Sequence, residues 1–260
     1  MSTLRIADTR TRLQAYRYQQ GTTFRMHTTI SLTDNIARIR QRIDAACTAA
    51  GRTDTVTLEI AAKTRTPEEC QVAANALAAA NLPVVLGHNR VQEARETASA
   101  IRAVDGARIH LIGPLQTNKI NHALSVVDCI ETIDSAELVH AVDKRASRAL
   151  PVYLQVNTSG EASKHGCMPA DALAVAEAIA ASEHLQFAGL MTVGLNSLIE
   201  ADVRASYAQL HSLRAAVAER LNLVETDLAL SMGMSRDLEW AIAEGATLVR
   251  VGTDVFGPRS

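Results

Sequence analysis

Apolar residues along this chain follow two alternating periods. Over 33–50, Ile36, Ile39, Ile43 and Cys47 (or Ala46) recur at helical spacing, with Thr33 or Asp34 able to cap the start and Gly51 to end it. A short run, Val56-Thr57-Leu58-Glu59-Ile60-Ala61-Ala62, then reads as a strand. From there the two kinds of segment take turns. Short β-branched or aliphatic runs predict strands at 56–62, 84–86, 109–112, 126–131, 152–157, 187–191, 228–231 and 248–251. Helical stretches near 67–80, 89–103, 117–124, 135–148, 169–182, 200–221 and 235–244 lie between them. Such alternation requires parallel strands joined by helical crossovers. The expected fold is therefore α/β, a single (β/α)8 TIM barrel over 28–260, with a doubly wound open sheet as the alternative.

The N-terminal segment stands apart. Residues 1–25 carry Arg5, Arg10, Arg12, Arg17 and Arg25 against one acid, Asp8. A basic, acid-poor start suits an organelle transit peptide, but without an apolar core it is no secretory signal. The preferred reading of 1–27 is a disordered extension, or upstream sequence translated from a start earlier than Met26.

Composition narrows the function classes. The 260 residues are 47% hydrophobic, enough for a full core. Lys plus Arg number 26 and Asp plus Glu 28, a balance with no global pull toward nucleic acid. Aromatics are 3%, too few for a base-stacking platform. With no long uncharged apolar run, a membrane span is not expected. Cys47, Cys70, Cys129 and Cys167 are scattered without a CxxC pair, which suits reduced thiols in a cytoplasm better than disulfides or zinc.

A barrel directs attention to the C-terminal ends of its strands, where the βα loops gather. Lys63 follows the first strand directly; desolvated in the barrel mouth, such a lysine can form a Schiff base with an aldehyde. Asn89, after the second strand, can cap a helix or meet a ligand hydroxyl. His88 beside it is either an acid–base candidate or a plain polar residue. Gln116, Thr117 and Asn118 follow the third strand with the same two options. The loop Ser159–Gly166 is long and polar. Two late segments, Ser231-Met232-Gly233-Met234-Ser235 and Arg250-Val251-Gly252-Thr253, sit where barrels commonly bind phosphate. Ser231, Gly233, Gly252 and Thr253 supply hydroxyls and close backbone approach. A lysine facing a phosphate cup points to a phosphorylated aldehyde, either a sugar phosphate, as in a Schiff-base aldolase, or pyridoxal 5′-phosphate (PLP). Arg250 helps separate them, since a guanidinium near the pyridine nitrogen cannot accept a proton and leaves a weaker electron sink. That favours racemase-like chemistry, or carriage of the cofactor with little chemistry.

At these residues the sequence resembles the PLP homeostasis proteins, which share the barrel of the alanine racemase N-terminal domain (PLP fold type III). The matching stretches run in order over about 30–257: Ala62–Thr64, Leu86–Glu93, Ile109–Lys119, Gln155–Asn157, Ser163–Gly166, Gly189–Met191, Leu230–Ser235 and Val249–Gly257. The resemblance implies that Lys63 forms the Schiff base, that Ser231, Gly252 and Thr253 hold the phosphate with Gly233 shaping the loop, that Arg250 faces the pyridine nitrogen, and that Asn89 lies near the ring hydroxyl. Lys119 and Lys164 match further family lysines. The family is cytoplasmic, acts in vitamin B6 balance without established robust catalysis, and implies PLP-requiring apo-enzymes as partners and a monomer or weak dimer. This chain departs from the family at His88, where a glutamate is usual, at Ile109 in place of an aromatic, and at Met191–Gly194, which lacks a proline-rich turn. An amino-acid racemase is the competing reading. Racemases of this fold add a C-terminal β-domain and use a tyrosine from the partner subunit as second base; here the only tyrosines are Tyr16, Tyr18, Tyr153 and Tyr207, and the sequence ends at Ser260.

Overall fold

The computed structural model describes residues 32–257; the segment 1–27 lies outside the described residues. Eight parallel strands pair in sequence order and the last pairs with the first, closing a barrel. They are β1 (Thr57–Ala61), β2 (Val85–His88), β3 (Arg108–Leu111), β4 (Cys129–Ile133), β5 (Leu150–Gln155), β6 (Leu185–Met191), β7 (Ala229–Ser231) and β8 (Leu248–Val251). The helices are α1 (32–49), α2 (Pro67–Ala79), α3 (Val91–Arg102), α4 (Ile120–Leu124), α5 (Ala136–Asp143), α6 (Ala172–Ala180), α7 (Glu200–Leu221), α8 (Leu238–Ala243) and α9 (Thr253–Phe256). The open-sheet alternative is excluded by the β1–β8 ladder, in which Leu58 pairs with Val249, Glu59 with Arg250 and Ile60 with Val251.

The local chemistry of the elements is legible. α2 starts at a capping box, where Thr66 accepts from the Glu69 N–H and Glu69 returns a bond to the Thr66 N–H, with Pro67 at the first helical position. α1 buries Leu32, Ile36, Ile39, Ile43 and Ala46, so Ala46 takes the inward position and Cys47 packs partly buried at its edge. Most buried apolar residues lie in one shell between the strands and the helices.

Strand alternation divides each β-strand between that shell and the barrel interior. The interior is not purely aliphatic. Besides Cys129, Tyr153 and Met191 it holds Glu59, His110, Glu131, Ser231 and Arg250, all buried. Several strand boundaries differ from expectation by one to three residues, β4 and β2 the most tellingly: β2 was expected at 84–86 and runs Val85–His88. β4 was expected at 126–131 and runs Cys129–Ile133. Val126 and Val127 belong to the approach, and Asp128 bonds the neighbouring strand through its carboxylate, which accepts from the Ile109 N–H at 2.8 Å. The strand then continues through Glu131, a charged residue that ends an apolar run on paper but has partners inside the barrel. The short α9 after β8 was not anticipated.

Gly189 of β6 sits opposite Ala229 of β7, and a Cβ there would lie 2.1 Å from the Ala229 carbonyl oxygen. Neither backbone can yield without breaking the ladder. Gly189→Ala is expected to destabilise the protein by about 2 kcal/mol, lowering Tm by roughly 4–8 °C for a chain of this size; an unchanged thermal midpoint contradicts this packing.

Candidate ligand-binding site at the barrel mouth

A cavity of about 630 Å³ opens at the C-terminal ends of the strands. Of the residues singled out from sequence, Lys63, Asn89, Arg250, Gly252 and Thr253 line it. Alternation explains the first of these. Glu59, Ala61 and Lys63 succeed one another on one face, so the lysine continues the inward row of β1 past the strand end. It is exposed rather than desolvated, standing at the open wall of the cavity.

Asn89 is half-buried and lines the cavity; Arg90, not Asn89, occupies the N-cap position of α3, and no side chain bonds there. Capping therefore does not explain Asn89. Gly113 packs against it so closely that a Cβ would meet the Asn89 carbonyl oxygen at 2.1 Å. Gly252 stands at the N-cap of α9, and a Cβ on it would approach the Ala61 carbonyl oxygen to 2.9 Å. A side chain there would press on β1 two residues before Lys63. Thr253 opens α9, whose first N–H groups have no carbonyl to pair with inside the helix.

Ser231 and Gly233 do not line the cavity. Ser231 is fully buried below it, donating to Glu131 Oε2 at 2.6 Å and accepting from Arg250 Nη1 at 2.5 Å. Gly233 has φ of +93° and packs on α8, where a Cβ would lie 2.5 Å from Ala241 Cβ. The cavity wall after β7 is made instead by Met234, Ser235 and Arg236. Ser235, the second serine of the same string, was missed because both serines fit the sequence pattern; Ser231 is the last residue of β7 and Ser235 lies in the loop beyond it, so height along the barrel separates them. α1 braces this loop, since Arg42 donates to the Ser235 carbonyl at 2.9 Å and pairs with Glu239 and Asp254.

Lys164 also reaches the cavity, held by Glu161 Oε1 at 2.9 Å and the Gly194 carbonyl at 2.5 Å. Lys119, Gln116, Thr117 and Asn118 are exposed and do not line it. Val193, Leu195 and Leu198 supply an apolar wall after β6, where the proline-rich turn is missing.

Arg250 is buried at the cavity floor, with Nη2 donating to the Thr192 carbonyl at 2.7 Å. Beneath it, Glu131 accepts from His110 Nδ1 at 2.7 Å. Burial opposes ionisation of Glu131, but His110, Arg250 and Ser231 overcome it and hold its carboxyl below the ordinary range. Glu59 is the reverse. Burial, with Glu131 beside it, pushes it well above the ordinary range, and neither of its carboxyl oxygens has a hydrogen-bond partner.

His88 faces away from the cavity. It is fully buried against α3, with Nε2 3.0 Å from Thr97 Oγ1. The Thr97 hydroxyl gives its proton to the Glu93 carbonyl at 2.9 Å, so Nε2 donates and Nδ1 is bare. An acid–base role in the cavity is not available to it.

The chain belongs to the family of the alanine racemase N-terminal domain, whose model matches residues 30–260, and within it to the PLP homeostasis proteins. The Pseudomonas aeruginosa pyridoxal phosphate homeostasis protein is 36% identical over 235 residues, covering 88% of this chain and 96% of its own. A protein of unknown function from Bifidobacterium adolescentis superposes with a TM-score of 0.80 at 37% identity, covering 88% of this chain and 96% of its own. PipY of Synechococcus elongatus, solved with PLP bound, superposes with a TM-score of 0.74 at 30% identity, covering 87% of this chain and all of its own.

Burial lowers the His88 pKa from 6.5 to about 4. The unfolded chain therefore binds this proton first as pH falls. The stability His88 contributes is full above about pH 6.5 and is lost toward pH 4, on the order of 3 kcal/mol in all. His88→Gln is expected to flatten the acid limb of a Tm-versus-pH curve in that window; an unaltered limb contradicts a buried neutral imidazole.

Proposed function

We propose that this chain binds PLP at the barrel mouth and serves PLP homeostasis as a carrier or buffer, without robust catalysis of its own. The observation that carries the reading is the meeting, in one cavity, of a strand-end amine, a buried guanidinium and a small-residue loop opening a helix. The residues suit the group. Gly252 keeps the β8 exit free of a side chain, as close approach to a phosphate requires. Bound there, PLP supplies an aldehyde that condenses with an amine and a pyridine ring whose electron demand depends on what faces its nitrogen.

Lys63 supplies the amine, and a ligand filling the cavity displaces the water around it. Gly252, Thr253, Ser235 and the first-turn N–H groups of α9 receive the phosphate. Asn89 offers an amide to the ring hydroxyl. Arg250 turns a donor-only group toward the pyridine nitrogen, so it keeps that nitrogen unprotonated and withholds the electron sink that most PLP catalysis needs. Tyr153 and Tyr207, the tyrosines among the described residues, are buried and line no part of the cavity, so a tyrosine base for a racemase has no counterpart in the described part of this chain. The relatives named for PLP homeostasis and the PLP complex of PipY support the same reading. PLP-requiring apo-enzymes are the recipients, and the protein works as a monomer or weak dimer. Among the described residues no helix is long and apolar enough to cross a membrane. The four cysteines are free thiols, which supports a reducing compartment such as the cytoplasm.

The protein mixed with PLP is expected to show a visible band at roughly 420 nm, as a lysine-bound aldehyde of this kind gives, and Lys63→Ala to abolish it. A band unchanged in that variant would falsify the lysine assignment. The pair Ser235→Ala and Thr253→Ala is expected to weaken PLP retention by about tenfold or more while leaving Tm within a few degrees. Amino-acid racemisation at ordinary enzyme rates, about 1–10³ s⁻¹, contradicts the carrier reading.

A further inference from the structure

The barrel interior below the cavity contains two glutamates, a histidine, a serine and an arginine, more ionisable groups than a closed core tolerates unless their charges balance. The hydrogen bonds have a fixed direction. Arg250 only donates, so Ser231 Oγ accepts from it and spends its one proton on Glu131 Oε2. Glu131 Oε1 takes the His110 Nδ1 proton. Glu131 thus accepts at both oxygens, which is the behaviour of a carboxylate. Glu59 has no such supply: the His110 Nδ1 donor is 3.5 Å away and already committed to Glu131. Two buried carboxylates facing one guanidinium leave a surplus negative charge, and one carboxylate with one neutral acid leaves none. The groups facing the cluster from other strands, Cys129 of β4 and Tyr153 of β5, are thiol and phenol held neutral by burial. Glu59, His110 and Glu131 also lie close enough together to suit a cation, but both Glu131 oxygens already accept, from the His110 N–H and the Ser231 hydroxyl.

We propose that Glu131, acting through Ser231, is the positioning residue that aims the Arg250 guanidinium into the ligand cavity, and that Glu59 is its uncharged companion. The first half rests on the PLP reading above; the second does not. Without the Ser231–Glu131 link, Arg250 keeps only the Thr192 carbonyl as an anchor among the described residues, and its plane is free to swing off the cavity floor.

The test has two arms. In the first, wild-type, Glu59→Gln, Glu131→Gln, Ser231→Ala and Ser231→Thr proteins are loaded with PLP, and the pH titration of the visible band and PLP loss on desalting are recorded. Glu131→Gln and Ser231→Ala are expected to shift the titration midpoint and to lose PLP about tenfold faster. Ser231→Thr, which keeps the hydroxyl, should restore wild-type values, and Glu59→Gln should match wild type throughout. Wild-type titration in Ser231→Ala overturns the positioning role, even if Glu131→Gln fails to fold. A wild-type protein with no band overturns the PLP reading, and Arg250's role with it. In the second arm, infrared spectra of the PLP-free proteins should show a protonated-carboxyl stretch in wild type that Glu59→Gln removes. A spectrum without that stretch, or tight stoichiometric zinc that Glu59→Gln abolishes, overturns the neutral assignment.

Discussion

The ladder between β1 and β8 is the constraint on which the site depends. Pairing Glu59 with Arg250 and Ile60 with Val251 closes the barrel, and it also sets the exits of the two strands side by side. Lys63 leaves one and Gly252-Thr253 the other, so the amine and the loop before α9 share a wall of one cavity. A doubly wound open sheet would leave these two strands unpaired. The glycine at 252 is part of the same fit, because a side chain there would press on the Ala61 carbonyl.

The same register brings a guanidinium and two carboxyl groups into the interior, and that determines how the inside is built. A buried Arg250 is tolerable only because Ser231, the Thr192 carbonyl and, at one remove, Glu131 receive its protons. The apolar shell outside the strands bears the packing, which leaves the inside free to hold a polar network that presents a donor-only group to the cavity. Facing a pyridine nitrogen, an arginine would leave a weaker electron sink, which fits carriage of PLP or racemase-like chemistry.

Much of this was legible in the sequence. β-branched runs separated by helical stretches located every strand to within a few residues, because each strand buries a hydrophobic stretch. Lys63, Asn89, Gly252 and Thr253 were readable from the rule that barrel chemistry sits at strand exits. What escaped was the placing of polar residues within the strands and just beyond their ends. β4 was expected to end at Glu131 and runs on to Ile133, with Glu131 fully enclosed in the barrel. Ser231 and Ser235 were indistinguishable until the end of β7 put the first inside the barrel, beneath the floor, and the second in the loop on the wall. His88 looked like a loop residue and is the buried last residue of β2, turned toward α3. Parity could have hinted at Glu131 and His88, but it needs strand boundaries more exact than residue patterns supply.

The account stands on Lys63 being the residue that captures the cofactor. The most direct measurement is borohydride reduction of the PLP-loaded protein followed by protease digestion and peptide mass spectrometry. The account predicts a single phosphopyridoxyl group on the peptide containing Lys63. Label spread over surface lysines, or placed on Lys164 with Lys63 unmodified, would contradict it.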